Sequence, residues 1–421
     1  MDKFGVGFVG AGFVTNTFHI AAWPGIRYAD INGICTTSLE SGKASADLCR
    51  KLGVGNPGVY NDVRELVRDP KVDAIWITVP NFARIPVMQA IIEEVTEGRA
   101  KLIGVACEKP LARNVAEAQR MLKLAEEAGI LHGYLENQIF APSVVRGKEV
   151  LWGRGASLTG RPYLVRCAEE HSGQHKPWFW DGTRQGGGVL LDMMCHSHEA
   201  ARFLLTSPDE TKEALKPRTV SAEIASLKWT RPDYIERLRD MTKGEIDYSK
   251  APAEDFARAN VIYGTPEGLS VMAEVTTSWS FVGPGIRLSF ELLGPEYYMD
   301  INTLKTELDV FFSREVKGKT GEDMLEKQTC EQGLMPVVSD EAITYGYLDE
   351  DRHMVDSFLK GEMPCETFRD GVFVIELLMS SYMAAEKGEK LSFPPRGLEE
   401  FVPQVARGTW DPRSIEKASP K

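Results

Sequence analysis

Residues 5–10 make an apolar, mostly small-residue run of strand length. It passes without a break into Gly10, Ala11, Gly12, Phe13, Val14 and Thr15, and then into a helix-like stretch reaching Trp23. Few folds accommodate a glycine-rich turn between a buried strand and a helix, and the foremost is the dinucleotide-binding unit. Gly10 permits the tight turn. Gly12 lets the backbone approach a pyrophosphate at a helix N-terminus, with Phe13 and Val14 completing the cradle. The third fingerprint position is Thr15 instead of Gly or Ala, a departure from the pattern.

Downstream spacing supports the same unit. Strand-like runs near 28–36, 73–79 and 102–107 alternate with helical stretches near 38–52, 83–97 and 114–128. That alternation predicts a doubly wound parallel sheet. In the last helix Asn114 and Glu117 form the cap, Gly129 the stop, and Val115, Ala118, Leu122 and Ala125 the buried stripe. Together they indicate a nicotinamide dinucleotide. The second strand ends on Cys35, Thr36 and Thr37, where NAD-binding chains usually carry an acid for the ribose. Hydroxyls at Thr36 and Thr37 suit a ribose or a 2′-phosphate, and Lys43 lies one turn on. NAD is favoured and NADP stays open.

A chain of 421 residues, against a prior of roughly 150 per domain, accommodates a second domain. The formal net charge of −12 argues against nucleic acid or an anionic membrane as partner. About half of it falls in residues 301–352, with twelve acids and six bases. No run of 18 apolar residues occurs, and the N-terminus enters a strand with no signal-peptide pattern before it. Seven scattered cysteines without a C-x-x-C pair suggest neither a disulfide framework nor a zinc ribbon, and a cytoplasmic setting is expected.

Further motifs occur in a fixed order. Thr78, Pro80 and Asn81 follow the third strand-like run, and Cys107, Glu108, Lys109 and Pro110 the fourth. A glycine run at 186–188 leads to Asp192 and His196, and the stretch 370–378 reads as a late helix. This set resembles the Gfo/Idh/MocA family, the glucose-fructose oxidoreductase and inositol dehydrogenase group. The resemblance spans roughly residues 4–395 and leaves 228–256 and 314–345 unplaced.

The resemblance implies an α/β chain. A Rossmann domain at 1–135 would precede a larger α+β domain at 136–421 with an open, mainly antiparallel sheet. It also implies NAD(P)-dependent oxidation or reduction of a sugar, polyol or cyclitol. Lys109, Asp192 and His196 would be the catalytic set. Glu108, Thr78, Pro80 and Asn81 would lie along the nicotinamide half of the cofactor, with Asn137 added to the cofactor contacts. Arg84 stands where the family often has histidine, and Met194 where it has glycine, so the substrate does not transfer from any one relative.

The residue chemistry is consistent with that implication. Oxidising a secondary alcohol needs a base for the hydroxyl proton and a cation for the developing alkoxide. Asp192 and His196, spaced i,i+4, project from one helix face, where the carboxylate can orient the imidazole. Lys109, just past a strand, belongs at the carboxyl edge of the sheet, where such folds place ligands. The proton could go to either His196 or Lys109. His171, His175, Trp178 and Trp180 suit a sugar ring, with aromatic faces beside hydroxyl-binding groups. Glu136 joins them as a substrate contact. Arg84, Lys176 and Arg184 are candidate hooks for an anionic substrate. Four histidines (171, 175, 196 and 198) with Cys195 and Glu199 raise the question of a metal, but no ligand spacing supports one and none is expected.

The leading expectation is a dehydrogenase acting on a sugar, sugar acid or cyclitol, working as a homo-oligomer. The alternative is a glycoside hydrolase that retains NAD and uses transient oxidation, elimination and readdition, with Glu136 or His171 as the additional acid or base. A non-catalytic nucleotide sensor is disfavoured by the joint presence of Lys109, Asp192 and His196.

Overall fold

The computed structural model describes residues 3–313, 322 and 324–412. Residues 314–321 and 323, part of the unplaced 314–345 segment, lie outside the described residues. The chain forms two units: Met1–Pro142 with Ala342–Ile375, and Ser143–Glu341 with Glu376–Lys421.

The first unit is a six-stranded parallel sheet. Its strands are β1 (Phe4–Val9), β2 (Ala29–Cys35), β3 (Gly58–Tyr60), β4 (Ala74–Ile77), β5 (Gly104–Glu108) and β6 (Leu131–Leu135). Their spatial order is β3-β2-β1-β4-β5-β6. All residues of β1, β4 and β5 are buried, as expected for a sheet covered on both faces. Helices α1 (Leu39–Leu52), α2 (Val63–Arg68), α3 (Asn81–Thr96) and α4 (Val115–Glu127) connect the strands. The expected elements are present, and β3, α2 and β6 are additions. In α4, Asn114 accepts from the Glu117 amide at 2.9 Å as expected, but Met121 and Leu124 are buried while Leu122 is only half-buried.

Residues 342–375 return to this unit, which a linear reading of 1–135 and 136–421 does not contain. The cause is packing. Helix α5 (Tyr347–Lys360) buries Met354, Val355 and Phe358 in the same core as Phe8, Trp23 and Trp76. A Cβ at Gly104 would lie 2.9 Å from the Phe358 ring, and one at Gly133 2.5 Å from the Met354 sulfur. These two glycines notch β5 and β6 so that α5 can dock. Burying Phe358 alone contributes about 2–3 kcal/mol.

The second unit holds a seven-stranded sheet. Its strands are β7 (Leu164–Glu170), β8 (Lys216–Ala225), β9 (Phe256–Gly264), β10 (Ser270–Ser278), β11 (Arg287–Gly294), β12 (Tyr297–Asn302) and, after a separate two-stranded ribbon of β13 (Leu308–Phe312) and β14 (Gly333–Val337), β15 (Leu391–Ser392). The order is β12-β11-β7-β10-β9-β8-β15, and every neighbouring pair is antiparallel except β7–β10. Strand β11 shows strict alternation of buried and half-buried residues, the signature of a sheet packed on one face. Helix α6 (Val189–Leu205) lies across β7, β10 and β9. Ion pairs stud the exposed positions: Arg166 bridges Glu274 at 2.6 Å and Glu291 at 3.2 Å, and Arg258 meets Glu223 at 2.7 Å.

Segment 228–256 is folded into this unit. The Asp255 carboxylate accepts from the amides of Leu227, Lys228 and Trp229 at 2.7–3.0 Å, and the Trp229 ring joins Trp180 and Trp279 in an aromatic core. Among the described residues, no helix is long and apolar enough to cross a membrane.

Candidate active site

The glycine turn sits where the strand order of the first sheet reverses, between β1 and β4, the place where open parallel sheets bind ligands. Gly10 has φ +123°, and a Cβ there would come within 2.5–2.6 Å of the Thr78 hydroxyl and carbonyl oxygens. Thr15 explains its own departure from the fingerprint. Its buried hydroxyl lies 2.9 Å from the Thr78 hydroxyl and 3.3 Å from the Gly10 carbonyl, tying the ends of β1 and β4 together. At Gly12 an added Cβ would meet nothing within 4 Å. That open approach to exposed backbone at the start of a helical segment is the room a pyrophosphate needs, so the residues fit a dinucleotide.

Phe13 is exposed and Val14 half-buried beside this turn. The Thr36 hydroxyl accepts from the Ser38 amide at 3.4 Å, at the start of α1, while Thr37 and Lys43 are exposed. Pro80 immediately precedes α3, and Asn81 is its buried first residue. The Asn137 amide donates to the Tyr345 carbonyl at 2.7 Å, and Glu136 is buried, capping the turn that Asn137 begins.

Glu108 ends β5, and sequence reasoning missed what holds it. His19 has Nε2 3.0 Å from the Glu108 carboxylate and Nδ1 2.9 Å from Asp351, which also accepts from the Trp76 indole at 2.9 Å. Burial alone would lower the imidazole pKa, but the Asp351 and Glu108 carboxylates outweigh it and push it up to about 10. The resulting imidazolium, with Lys109 and Arg84, keeps Glu108 below the usual carboxylate range despite burial. The other Glu108 oxygen accepts the Lys109 amide at 3.0 Å, which fixes the backbone from which Lys109 projects. His19, Glu350 and Asp351 bring ligand-type atoms within 4.8 Å of one another. Both nitrogens of the imidazolium are already committed as donors, so it has no lone pair for a metal.

Arg84 is not presented to solvent as an exposed anion hook would be. It is buried, its Nε donates to the Val79 carbonyl at 3.2 Å, and one Nη donates to the Lys109 carbonyl at 2.9 Å. The guanidinium staples the end of β4 to the segment carrying Lys109. Arg184 is exposed beside Asp181, and Lys176 is also exposed.

In the second unit Asp192 and His196 are buried on α6. Asp192 accepts a hydrogen bond from the Gln174 side-chain amide, and His196 Nε2 lies 3.9 Å from the Glu169 carboxylate. His171 is buried, its Nδ1 accepting the Gly173 amide at 2.9 Å. Lys327 donates to the side-chain oxygen Oε1 of Gln174 at 3.2 Å. Burial and the carboxylates of Glu341, Glu322 and Glu169 push Glu326 up to about 8, against the pull of Lys327. His171, Asp192 and His196 therefore gather with Gln174, Glu169 and Lys327, which the sequence did not single out. Gln174 had one local signal, its place between two histidines; Lys327 had none.

His175 is exposed and pairs with Glu322 at 2.9 Å. Trp178 is half-buried and stacks on Phe179. Trp180 is only 1% exposed, in contact with Trp229 and Trp279, and its indole donates to the Gln174 backbone carbonyl at 3.0 Å. It supports the loop from behind instead of offering a face to a sugar. His198 is buried without a hydrogen-bond partner among the described residues, and burial pushes it down to about 3, so it is neutral core.

The glycine run before α6 has a steric cause. A Cβ at Gly187 would lie 2.1 Å from the Tyr382 hydroxyl, and one at Gly188 2.5 Å from the Glu254 carbonyl. Without side chains there, the Glu254 carboxylate accepts the amides of Gly188 at 2.9 Å and Leu190 at 3.1 Å, capping the helix that carries Asp192 and His196.

Comparison with known proteins agrees with this architecture. Residues 4–134 match the family model described as an oxidoreductase family with an NAD-binding Rossmann fold, and residues 156–297 match the GFO/IDH/MocA C-terminal domain. The chain is 30% identical over 218 residues to 1,5-anhydro-D-fructose reductase of Ensifer adhaerens, covering 50% of this chain and 58% of that protein. It is 28% identical over 222 residues to myo-inositol 2-dehydrogenase of Thermotoga maritima, covering 52% and 61%. The matches thus span little more than half the length of these curated relatives. In fold it is similar to GenD2 from gentamicin A biosynthesis, solved in complex with NAD, with TM-score 0.73, 22% identity and coverage of 93% and 97%. Levoglucosan dehydrogenase in complex with NADH aligns with TM-score 0.67, 20% identity and coverage of 93% and 100%. The two family models together match more than half of the chain, which belongs to the Gfo/Idh/MocA family of oxidoreductases, with an NAD-binding Rossmann fold in its first unit.

Proposed function

We propose that this protein is an NAD(P)-dependent oxidoreductase that moves a hydride to or from a secondary hydroxyl carbon of a sugar, sugar acid or cyclitol, with NAD the favoured cofactor. One observation carries the reading. The glycine turn at the β1/β4 reversal lies in the same sheet as β5, whose end fixes the Lys109 backbone through the His19–Glu108 pair. Gly10, Gly12, Phe13 and Val14 would hold the pyrophosphate; Thr36 and Thr37 the adenosine ribose; Thr78, Pro80, Asn81, Glu108 and Asn137 the nicotinamide half. The hydride acceptor in this reading is the nicotinamide ring of the bound cofactor.

The chain's own residues then manage the proton. Lys109 donates a hydrogen bond to the substrate oxygen and stabilises the developing alkoxide. His196, near the Glu169 carboxylate, takes the hydroxyl proton in the oxidative direction. Asp192, held by Gln174, accepts from a neighbouring substrate hydroxyl. His171 and Trp178 contribute to the same carbohydrate pocket. The curated relatives' names, a sugar reductase and an inositol dehydrogenase, support this substrate class. The dispersed free cysteines support a cytoplasmic setting.

A screen of neutral and acidic sugars and cyclitols, read by NADH and NADPH absorbance, tests the proposal. Lys109→Ala and His196→Ala should each lower kcat at least about 100-fold, with dinucleotide affinity unchanged. Full turnover in both variants would remove the assignment. The alternative glycoside-cleaving reading needs one more proton donor. Glu136 and His171, both buried, are the candidates for it. Glycoside cleavage without NADH accumulation, lost in Glu136→Gln or His171→Ala, would favour it.

A further inference from the structure

Lys327 is the feature the function above leaves unused. It lies in the second unit, within the 314–345 segment and beyond both stretches that match the family models. It is 4% exposed and adopts φ +59°, a left-handed conformation that a lysine rarely takes. A lysine is kept out of water only where other interactions over-determine its place.

Those interactions involve Gln174. The Lys327 ammonium donates to Gln174 Oε1 at 3.2 Å, while Gln174 Nε2 donates to an Asp192 carboxylate oxygen. A carboxamide has an acceptor end and a donor end. With a cation on one side and a carboxylate on the other, only one of its two flips is satisfied. Reversing it would set oxygen against carboxylate and N–H against ammonium. The loop backbone is equally constrained. Trp180 donates to the Gln174 carbonyl, and Gly173, at φ +117°, lies so close to the Trp180 ring that a Cβ would approach it to 2.5 Å. Backbone and amide are thus fixed independently, the first by the tryptophan core and the second by Lys327.

We infer that Lys327 is a positioning residue for the substrate site of the second unit, acting through the Gln174 carboxamide to hold the Asp192 carboxylate in one orientation. The inference rests on the proposed function only for its kinetic consequence; the positioning itself is a property of the free protein.

The test uses the full chain in two arms. In the first, protein labelled with ¹⁵N in glutamine side chains is compared with Lys327→Met and Lys327→Arg, the Gln174 resonances being assigned by their loss in Gln174→Leu. The Gln174 NH₂ pair should be shifted and inequivalent in the parent protein. It should collapse toward free-amide positions in Lys327→Met and be retained in Lys327→Arg. Resonances that do not move in Lys327→Met, in a protein shown by the rest of its spectrum to be folded, would overturn the inference whatever the enzyme's activity.

In the second arm, Lys327→Met should lower kcat about tenfold with dinucleotide affinity unchanged, and Lys327→Arg should recover most of it. Combined with Gln174→Leu, the loss should be no greater than for either alone, because both act on one orientation. Losses that multiply, or a Lys327→Met enzyme with parental kcat, would also overturn it. If the amide signals respond as expected but the parent protein oxidises no sugar, the positioning stands and the oxidoreductase reading fails.

Discussion

The carboxylate of Asp351 lies 2.9 Å from Nδ1 of His19, a residue 332 positions earlier in the chain, and both are fully buried. With Glu108 on the other ring nitrogen, the imidazole is an imidazolium enclosed by carboxylates. Its pKa is raised from 6.5 to about 10 in the folded state, so the proton is held more tightly folded than unfolded. The stabilisation is fully present below pH 6.5 and is lost as pH rises through 10. His19→Gln should therefore cost about 3–5 kcal/mol near neutrality, the range for breaking a buried ion pair by removing one partner. Urea denaturation from pH 6 to pH 10 should show the gap between parent and variant closing at the alkaline end. A gap independent of pH would mean that His19 is not charged.

Two glycines of the turn should separate folding from binding. Gly10→Ala forces a Cβ onto the Thr78 oxygens at a φ that alanine resists, so both thermal stability and dinucleotide affinity should fall. Gly12→Ala adds a methyl to open space and should leave the melting temperature unchanged. Its dinucleotide affinity should nonetheless drop at least about tenfold, since the methyl occupies the room meant for the pyrophosphate. Titration calorimetry with NAD beside thermal melts checks both. Undiminished binding by Gly12→Ala would displace the pyrophosphate from this turn.

Local patterns made the first sheet and its turn legible because those features depend on neighbours in sequence. Gly10, the run into β1 and the cap of α4 carry their signals within a few residues. Long-range complementarity carries none. Nothing beside Gly104 or Gly133 announces that they are notches for Phe358 and Met354, so the return of 342–375 to the first unit was not foreseen. The same holds for the candidate residues. Lys109, Asp192 and His196 stand out through ordered motifs, whereas His19 needs Asp351, Gln174 needs Lys327, and the glycines before α6 need Glu254 to be understood. Trp180 and Arg84 have side chains suited to a pocket, but the fold uses one in a tryptophan core and the other on two backbone carbonyls.

Arg84 gives a discriminating case. As a hook for acidic substrates, its loss would raise KM for a sugar acid and spare a neutral sugar. As a staple between the Val79 and Lys109 carbonyls, its loss leaves two half-buried acceptors without their donor and loosens the Lys109 backbone. Arg84→Met should cost about 1–3 kcal/mol of stability and lower kcat for neutral and acidic substrates alike. Selective loss on acidic substrates alone would restore the hook.

Glu254 gives the opposite pH dependence to an ordinary salt-bridged acid. Although it caps α6 and accepts from Tyr382 at 2.5 Å, burial outweighs these hydrogen bonds and raises its pKa from 4.5 to about 7. A carboxyl whose folded pKa is raised binds its proton more tightly in the native state. Its contribution is fully present below pH 4.5 and is lost as pH rises through 7. The shift is worth up to about 3 kcal/mol. Glu254→Gln keeps an acceptor oxygen for the Gly188 and Leu190 amides but cannot titrate. Between pH 5 and pH 8 the parent protein should therefore lose stability relative to Glu254→Gln, as read by paired urea denaturation. The helix bearing Asp192 and His196 would then be anchored by a neutral acid at mildly acidic pH and by a costly buried anion above neutrality. If the difference between the two proteins is the same at both pH values, Glu254 does not change charge across that range and the helix cap is indifferent to it.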